Sequence, residues 1–217
     1  MEEYIKKFAA EAQVALQNLP IQEIAKALNI LQAAYERNGR IYVFGNGGSW
    51  AIAGHWVTDF NKTVFSHRLD KHHHRFRVSR VPETAEELTA WANDLGYDMV
   101  FAGPLASVLG DADAVIAISS SGNSPNVIKA VQVAKARKVP VIGLSGFDGG
   151  ELNKLADVKI LVPTSKAKYP EGDYELVETT HDTVMHLMTK YFKDYFDYLF
   201  ESSKKLPLYE KSDIPRS

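Results

Sequence analysis

The sequence predicts an α/β protein built on a parallel sheet with helices on both faces. The observations behind this are five short segments rich in β-branched residues, helical stretches between them, and glycine- or serine-rich turns after two of the segments. Strands that alternate with helices favour parallel pairing, because each crossover helix covers one face of the sheet. With 217 residues the chain can bury one sizeable core, so a single domain is the simplest organisation.

The elements are expected in the following order. Apolar residues recur at helical spacing through residues 2–37, with Pro20 at a natural helix start and Asn38-Gly39 at a natural stop. The predicted strands are Ile41–Phe44, Phe76–Val81, Ala114–Ser119, Pro140–Leu144 and Val158–Val162. Helices are predicted around Pro104–Leu109, over Asn126–Lys138 and from Tyr174 to Phe200. The domain is expected to span residues 1–201, and residues 202–217 to form an arm or a disordered tail.

Composition and charge exclude several classes of partner and of functional site. The formal net charge is −2, which gives no electrostatic reason to expect nucleic acid or anionic lipid as the main partner. No apolar run approaches the ~20 residues of a membrane helix, and the N-terminus lacks the apolar core of a signal peptide. The absence of cysteine excludes disulfides, thiolate metal sites and thiol catalysis. The sequence therefore predicts a soluble, cytoplasmic protein.

The most informative segment is Ser119–Ser124, named here the serine turn, which joins a buried strand to a helix that begins near Pro125. The candidate phosphate contacts are Ser119, Ser120, Ser121 and Ser124. These hydroxyls and the free N–H groups of a helix N-terminus suit a phosphate dianion. A Gly-Lys-Ser/Thr sequence is missing, which argues against nucleoside triphosphates. Capping the helix would need only one serine, so phosphate binding is favoured over simple capping.

A second turn, Gly45–Ser49, named here the glycine turn, follows the first strand and precedes a helix. It lacks the Gly-x-Gly-x-x-Gly pattern of dinucleotide sites. Glycine lets a ligand approach the backbone, and the candidate contacts are Asn46, Gly47 and Ser49; a purely steric need for glycine is the alternative. Both turns are expected at the carboxyl edge of one parallel sheet, where ligands of such sheets bind.

Histidines and carboxylates recur at spacings of four on two helices. His55 and Asp59 share a face of the helix after the glycine turn, and Glu178, Asp182 and His186 share a face of the last helix. Imidazole and carboxylate together suit Zn²⁺ and similar ions, and the same groups can act as general base and acid. Spacing alone favours a plainer interpretation, two exposed helix faces with ordinary ion pairs.

Two further motifs, Trp91–Asp98 (WANDLGYD) and Gly143–Gly150 (GLSGFDGG), stand in order with the two turns. In this order and spacing the four motifs resemble the sugar isomerase (SIS) domain family, and most nearly its phosphoheptose isomerases, over about residues 1–190. The resemblance implies a Rossmann-like, five-stranded parallel sheet with an N-terminal helical pair and a long C-terminal helix. It also implies a homotetramer whose sites are shared between subunits.

The resemblance implies an activity as well, the aldose–ketose isomerisation of a phosphorylated sugar, similar to that of sedoheptulose 7-phosphate. Carried over residue by residue, the catalytic groups are Asp59, Glu178 and His186, and the ligands of a divalent metal such as zinc are His55, Asp59, Glu178 and His186. Asp94 joins Asn46 and Ser49 in holding sugar hydroxyls. The family has Glu at position 59 and Gln at position 178. These two departures keep an alternative open, a non-catalytic phosphosugar-binding or regulatory protein of the initiator-associating type.

The segment Phe65–Arg77, which contains His67 and His72–His74, is longer than its counterpart in the family. Its three adjacent histidines and its basic residues could bind a metal or a second anionic group, and the loop could cover the site of a neighbouring subunit. Adjacent side chains in a strand or loop point in different directions, however, so a solvated loop is favoured. The aromatic residues between Tyr191 and Tyr198 predict packing or an oligomer interface.

Overall fold

The computed structural model describes residues 1–65, 74–164 and 173–204, with side chains as far as Leu199. Its helices are α1 (Glu2–Gln17), α2 (Ile21–Glu36), α3 (Gly47–Asn61), α4 (Ala85–Leu95), α5 (Ala102–Val108), α6 (Pro125–Ala136), α7 (Gly150–Leu155) and α8 (Tyr174–Lys204). Its strands are β1 (Ile41–Gly45), β2 (Val78–Arg80), β3 (Ala114–Ser119), β4 (Val141–Gly146) and β5 (Val158–Val162).

The five strands form one sheet in the order β2-β1-β3-β4-β5, and every neighbouring pair is parallel. Every residue of β1, β3 and β4 is buried, which is typical of strands covered on both faces. The register places Gly45 beside Ile118 and Ser119 beside Ser145. The strands β1, β3 and β4 therefore end at the same edge, and the predicted five-stranded parallel sheet is confirmed.

Successive strand residues point into two apolar layers. Val43 belongs to the layer between the sheet and α2, α3 and α8, whereas Phe44 belongs to the layer beneath α5 and α6. The helices α3 and α8 contact each other in the first layer, where the rings of Phe60 and Phe192 meet edge to face with centroids 5.8 Å apart. This contact brings the two helices that carry the predicted histidines to one face of the sheet.

Strand boundaries differ from the predicted ones at β1, β2 and β4, and β1 continues one residue beyond Phe44, to Gly45. The edge strand β2 pairs only with β1, over three residue pairs, so it is shorter than Phe76–Val81. The strand β4 continues to Gly146 because Val162 of β5 pairs with that residue. The strands β3 and β5 have the predicted bounds.

The last helix is longer than predicted, since α8 continues past Phe200 to Lys204. Phe192 and Phe196 are buried and anchor it, and a helix that is already formed extends through polar residues at little cost. The predicted tail therefore begins inside α8 at residues 202–204, and its remainder, residues 205–217, lies outside the described residues. So do residues 66–73, which include His67, His72 and His73 of the predicted long loop.

The helix α1 lies on the outside of the molecule, with no buried residue. Its apolar side chains Tyr4, Ile5 and Val14 are 73%, 60% and 56% exposed, although it also contacts α8. Among the helices in the described ranges, none combines the length and the apolar character needed to cross a bilayer.

Candidate active site

The serine turn presents hydroxyl groups at the end of β3. The hydroxyl oxygens of Ser119 and Ser124 are 3.1 Å apart, and the Ser121 hydroxyl accepts the N–H of Asn123 at 3.2 Å. Ser120 is buried, and its hydroxyl has no partner among the described residues. Ser124 is the N-cap of α6 but makes no side-chain capping bond. Simple helix capping therefore does not account for these serines.

The backbone of both turns needs glycine. Gly47 has a φ of +53°, a left-handed conformation that glycine adopts without steric cost. Gly122 has a φ of +67°, and a side chain there would overlap the backbone of Gly149. In α3 a methyl group on Gly48 would overlap the carboxylate of Glu178. The first turn of α3 and the start of α8 are thus in direct contact.

A pair of asparagines links the glycine turn to the first turn of α6, directly after the serine turn. The Asn46 amide donates to Asn126 Oδ1 at 2.9 Å, and the Asn126 amide donates back to Asn46 Oδ1 at 2.9 Å. Asn126 Oδ1 also accepts the N–H of Val127 at 2.9 Å, and the Tyr97 hydroxyl donates to Asn46 Oδ1 at 3.1 Å. Sequence reasoning found Asn46 but missed Asn126 and Tyr97.

Three of the predicted metal ligands meet where α3 and α8 approach, and we call His55, Asp59 and His186 the histidine cluster. Each offers one ligand atom, and these atoms all lie within 4.8 Å of one another. His55 Nε2 is 3.9 Å from Asp59 Oδ1, and the rings of His55 and His186 meet edge to face with centroids 4.6 Å apart. Both histidines are exposed, so the cluster is open to a ligand.

Two side chains outside the cluster hold its members. Asp182 Oδ1 lies 3.2 Å from His55 Nδ1, and the Thr63 hydroxyl donates to Asp59 Oδ1 at 3.0 Å. Asp182 shares the spacing of four with Glu178 and His186, yet the family resemblance gives it no role. The spacing was the available signal, because it already placed Asp182 on the face that carries the site.

Glu178 does not belong to the histidine cluster in the described part of the chain. It lies partly buried against Gly48, where burial and then the charge of Glu175 raise the pKa of its carboxyl group. At ~1.5 Å rise per residue, eight residues separate it from His186 by about 12 Å along α8. Its assignment as a fourth metal ligand stays a prediction that requires its side chain to turn toward the cluster.

The remaining predicted contacts differ in their surroundings. Ser49 is buried in the first turn of α3, whereas Asp94 is exposed near the end of α4 and accepts a bond from the Asn93 amide at 2.8 Å. These surroundings suit Ser49 to a structural contact beneath a ligand and Asp94 to a direct contact with one.

A buried, neutral histidine connects α8 to the end of β4. His181 is fully buried, and its Nε2–H donates to the Ser145 carbonyl at 3.1 Å. Burial lowers the pKa of His181 to about 4, although the bond to Ser145 opposes the shift. The side chain therefore stays neutral at pH 7 and fixes α8 to the end of β4.

The donor set of the histidine cluster fits a divalent metal. Two imidazole nitrogens and one carboxylate oxygen form the set that a class of catalytic zinc sites uses, with a further position left for a ligand. The hydrogen bond that His55 Nδ1 donates to the Asp182 carboxylate is of the kind that orients metal-bound imidazoles.

Comparison with known proteins decides the family. The family model described as SIS domain matches residues 3–146, more than half of the chain. The chain belongs to the SIS domain family. Its relatives include the phosphoheptose isomerase of Helicobacter hepaticus, 33% identical over 165 residues that cover 76% of this chain and 78% of the relative. The phosphoheptose isomerase of Solidesulfovibrio magneticus is 33% identical over 190 residues, which cover 84% and 82%.

The same SIS fold occurs in solved structures. Phosphoheptose isomerase GmhA from Neisseria gonorrhoeae superposes with a TM-score of 0.75 at 26% identity, covering 89% of this chain and 96% of that one. The expected SIS fold, with its parallel sheet and long last helix, is thus confirmed.

Proposed function

We propose that this SIS domain protein is a phosphosugar isomerase that interconverts an aldose phosphate and a ketose phosphate, similar to a sedoheptulose-7-phosphate isomerase. The observation that carries the proposal is a hydroxyl-lined turn at the end of β3 together with a histidine–carboxylate cluster where α3 and α8 approach each other. The kinship with phosphoheptose isomerases supports the same activity.

In this proposal the serine turn binds the phosphate group. The contacts are the hydroxyls of Ser119, Ser120, Ser121 and Ser124, helped by the N-terminus of α6. Asn46, Gly47, Ser49 and Asp94 hold the sugar. Because Asn46 Oδ1 already accepts two bonds and one N–H is used by Asn126, Asn46 has its second N–H to offer to a sugar oxygen.

The chemistry is a proton transfer between neighbouring carbons. A carboxylate, Asp59 or Glu178, removes the proton from the carbon next to the carbonyl, and an enediol forms as the carbonyl oxygen takes a proton from His186. The carboxylate then returns a proton to the former carbonyl carbon while His186 recovers one from the neighbouring hydroxyl. Nothing is oxidised overall. The two candidate bases differ in position and strength: Asp59 lies within 4.8 Å of His186 in the histidine cluster, whereas the raised pKa of Glu178 makes its carboxylate the stronger base.

A divalent metal, zinc in our proposal, is held by His55, Asp59 and His186, with Glu178 as the predicted fourth ligand. When bound, such an ion polarises the sugar oxygens. The protein groups around it keep their own tasks: Thr63 holds Asp59 in place, and His186, bound through one ring nitrogen, keeps the other nitrogen for proton exchange.

The decisive test is isotope exchange in D₂O with the zinc-loaded protein and sedoheptulose 7-phosphate. We expect deuterium to appear on the carbon next to the carbonyl together with the aldose product, and no exchange with unphosphorylated sedoheptulose. Tight binding without exchange would instead support the alternative, a phosphosugar-binding regulatory protein, which the Asp59 and Glu178 departures keep open.

We also propose a homo-oligomer, a tetramer with shared sites, built on α1 and α8. The exposed Tyr4, Ile5 and Val14 of α1 give an apolar surface that monomeric proteins rarely leave uncovered. Light scattering should show a multiple of the monomer mass, and Ile5→Lys should lower it. A monomer at micromolar concentration would contradict this proposal.

A further inference from the structure

The side chain of Asp182 touches the site without belonging to the histidine cluster. It lies one helical turn after Glu178 and one before His186 on α8, and its Oδ1 is 3.2 Å from Nδ1 of His55 on α3. Because the two residues come from different helices, this contact also sets how the His55 ring stands against α8.

The contact determines which nitrogen of His55 is available. A carboxylate accepts hydrogen bonds, so the proton of a neutral His55 belongs on Nδ1, and the lone pair is then on Nε2. The Nε2 atom is the one 3.9 Å from Asp59 Oδ1, on the side where the histidine cluster converges. The carboxylate therefore leaves the nitrogen that faces the cluster free to bind.

The two cluster histidines differ in this respect. His55 has the Asp182 carboxylate on Nδ1, whereas the His186 ring meets that of His55 edge to face and its nitrogens have no hydrogen-bond partner in the described ranges. A histidine with one nitrogen fixed is suited to be a permanent ligand, and one with both nitrogens free is suited to exchange protons.

We propose that Asp182 is a positioning residue, which holds His55 in the Nδ1–H tautomer and aims Nε2 at a bound divalent metal. The inference rests on the metal site of the proposed function and adds a group that supports it. An exposed ion pair between Asp182 and a protonated His55 would leave metal affinity unchanged, so metal affinity separates the two explanations.

The test is zinc affinity of the full-length protein, measured by competition with a chromophoric chelator and no sugar present. We expect Asp182→Ala to weaken zinc binding 10- to 100-fold, as loss of such outer partners typically does. Asp182→Asn keeps an oxygen that accepts the hydrogen bond from His55, so it should weaken zinc binding less than Asp182→Ala. Asp194→Asn, which removes the same charge from an exposed Lys190 pair on α8, is the matched control and should stay within twofold of the parent. His55→Ala establishes that the ion counted is at this site.

A spectroscopic measurement completes the test. Histidine ¹⁵N NMR of the zinc-loaded parent should show His55 bound through Nε2 with its proton on Nδ1. Zinc affinity unchanged in Asp182→Ala, zinc bound through Nδ1, or a parent that binds no zinc would each overturn the inference. Of these, only the parent without zinc would also count against the metal in the proposed function, and zinc binding without isomerisation would count against the activity alone.

Discussion

The two halves of the candidate site are built in opposite ways. The shape of the serine and glycine turns is set by the backbone, with glycines at positive φ, and an asparagine pair joins the glycine turn to the start of α6 through bonds of 2.9 Å. The histidine cluster is side-chain-defined, with exposed residues from two helices that lie within 4.8 Å of one another. Rigid turns favour selective binding of a fixed group such as phosphate, and an open cluster permits the side-chain movement that proton transfer needs.

The largest expected effect is on kcat, and it comes from the histidine cluster. His186→Ala removes the proposed proton carrier and a metal ligand, so kcat should fall by roughly 10²- to 10⁴-fold. Its stability to urea should barely change, because the side chain is exposed. Steady-state kinetics at saturating zinc would check the first expectation. A variant that unfolds at lower urea with kcat unchanged would show that His186 serves the fold and not the reaction.

The next effect concerns the buried His181, which holds α8 to the end of β4. His181 is neutral when folded because burial lowers its pKa to about 4, against 6.5 when exposed. The unfolded chain therefore binds the extra proton first as the pH falls, and stability present above pH 6.5 is lost toward pH 4. The two pKa values correspond to about 3 kcal/mol in full, of which about 1 kcal/mol is lost by pH 5.5.

Urea unfolding of the parent and of His181→Gln checks this expectation. The glutamine amide can replace the Nε2–H donor to Ser145, so the variant should fold but show a flatter dependence on pH between 7.5 and 5.5. Equal slopes for the two proteins would show that His181 does not carry this dependence.

The backbone-defined half was the easier one to predict from sequence. The bounds of β3 followed from its run of buried apolar residues, and parallel strands bring the turns after β1 and β3 to one edge whatever the loops do. The partner of Asn46 could not be predicted, because Asn126 is 80 residues away and many polar residues compete for such a contact.

The helix-borne half was predicted only in part. Spacing of four places His55 with Asp59, and Glu178, Asp182 and His186 together, on helix faces. This spacing does not predict the positions along α3 and α8 at which the two helices approach each other. In this structure the crossing brings His186 to the cluster, Asp182 to the outer nitrogen of His55, and Glu178 to Gly48.

Hydroxyl deletion in the serine turn should have a moderate effect, on binding more than on turnover. Ser121→Ala and Ser124→Ala each remove a bond to a charged group, which is worth about 1.5–3 kcal/mol, or roughly 10- to 150-fold in Kd. Calorimetric titration with the phosphosugar measures this loss. Ser107→Ala is the control, since that serine is exposed on α5 and its hydroxyl donates to the Gly103 carbonyl of the same helix. Unchanged affinity in both turn variants would place the phosphate elsewhere.

The smallest effect tests whether the link between the two turns matters to the ligand. Tyr97 is 57% exposed, and its hydroxyl donates one bond to Asn46 Oδ1. Tyr97→Phe keeps the ring and removes only that bond, which is worth about 0.5–1.5 kcal/mol. Asn46 keeps its two bonds to Asn126, so the phosphosugar Kd should rise by no more than about tenfold, with kcat and stability close to the parent. Tyr198→Phe, at an exposed position of α8, should change none of these quantities. A loss as large as that of Ser124→Ala would mean that Tyr97 itself contacts the ligand, and the glycine turn would then be less rigid than its asparagine pair suggests.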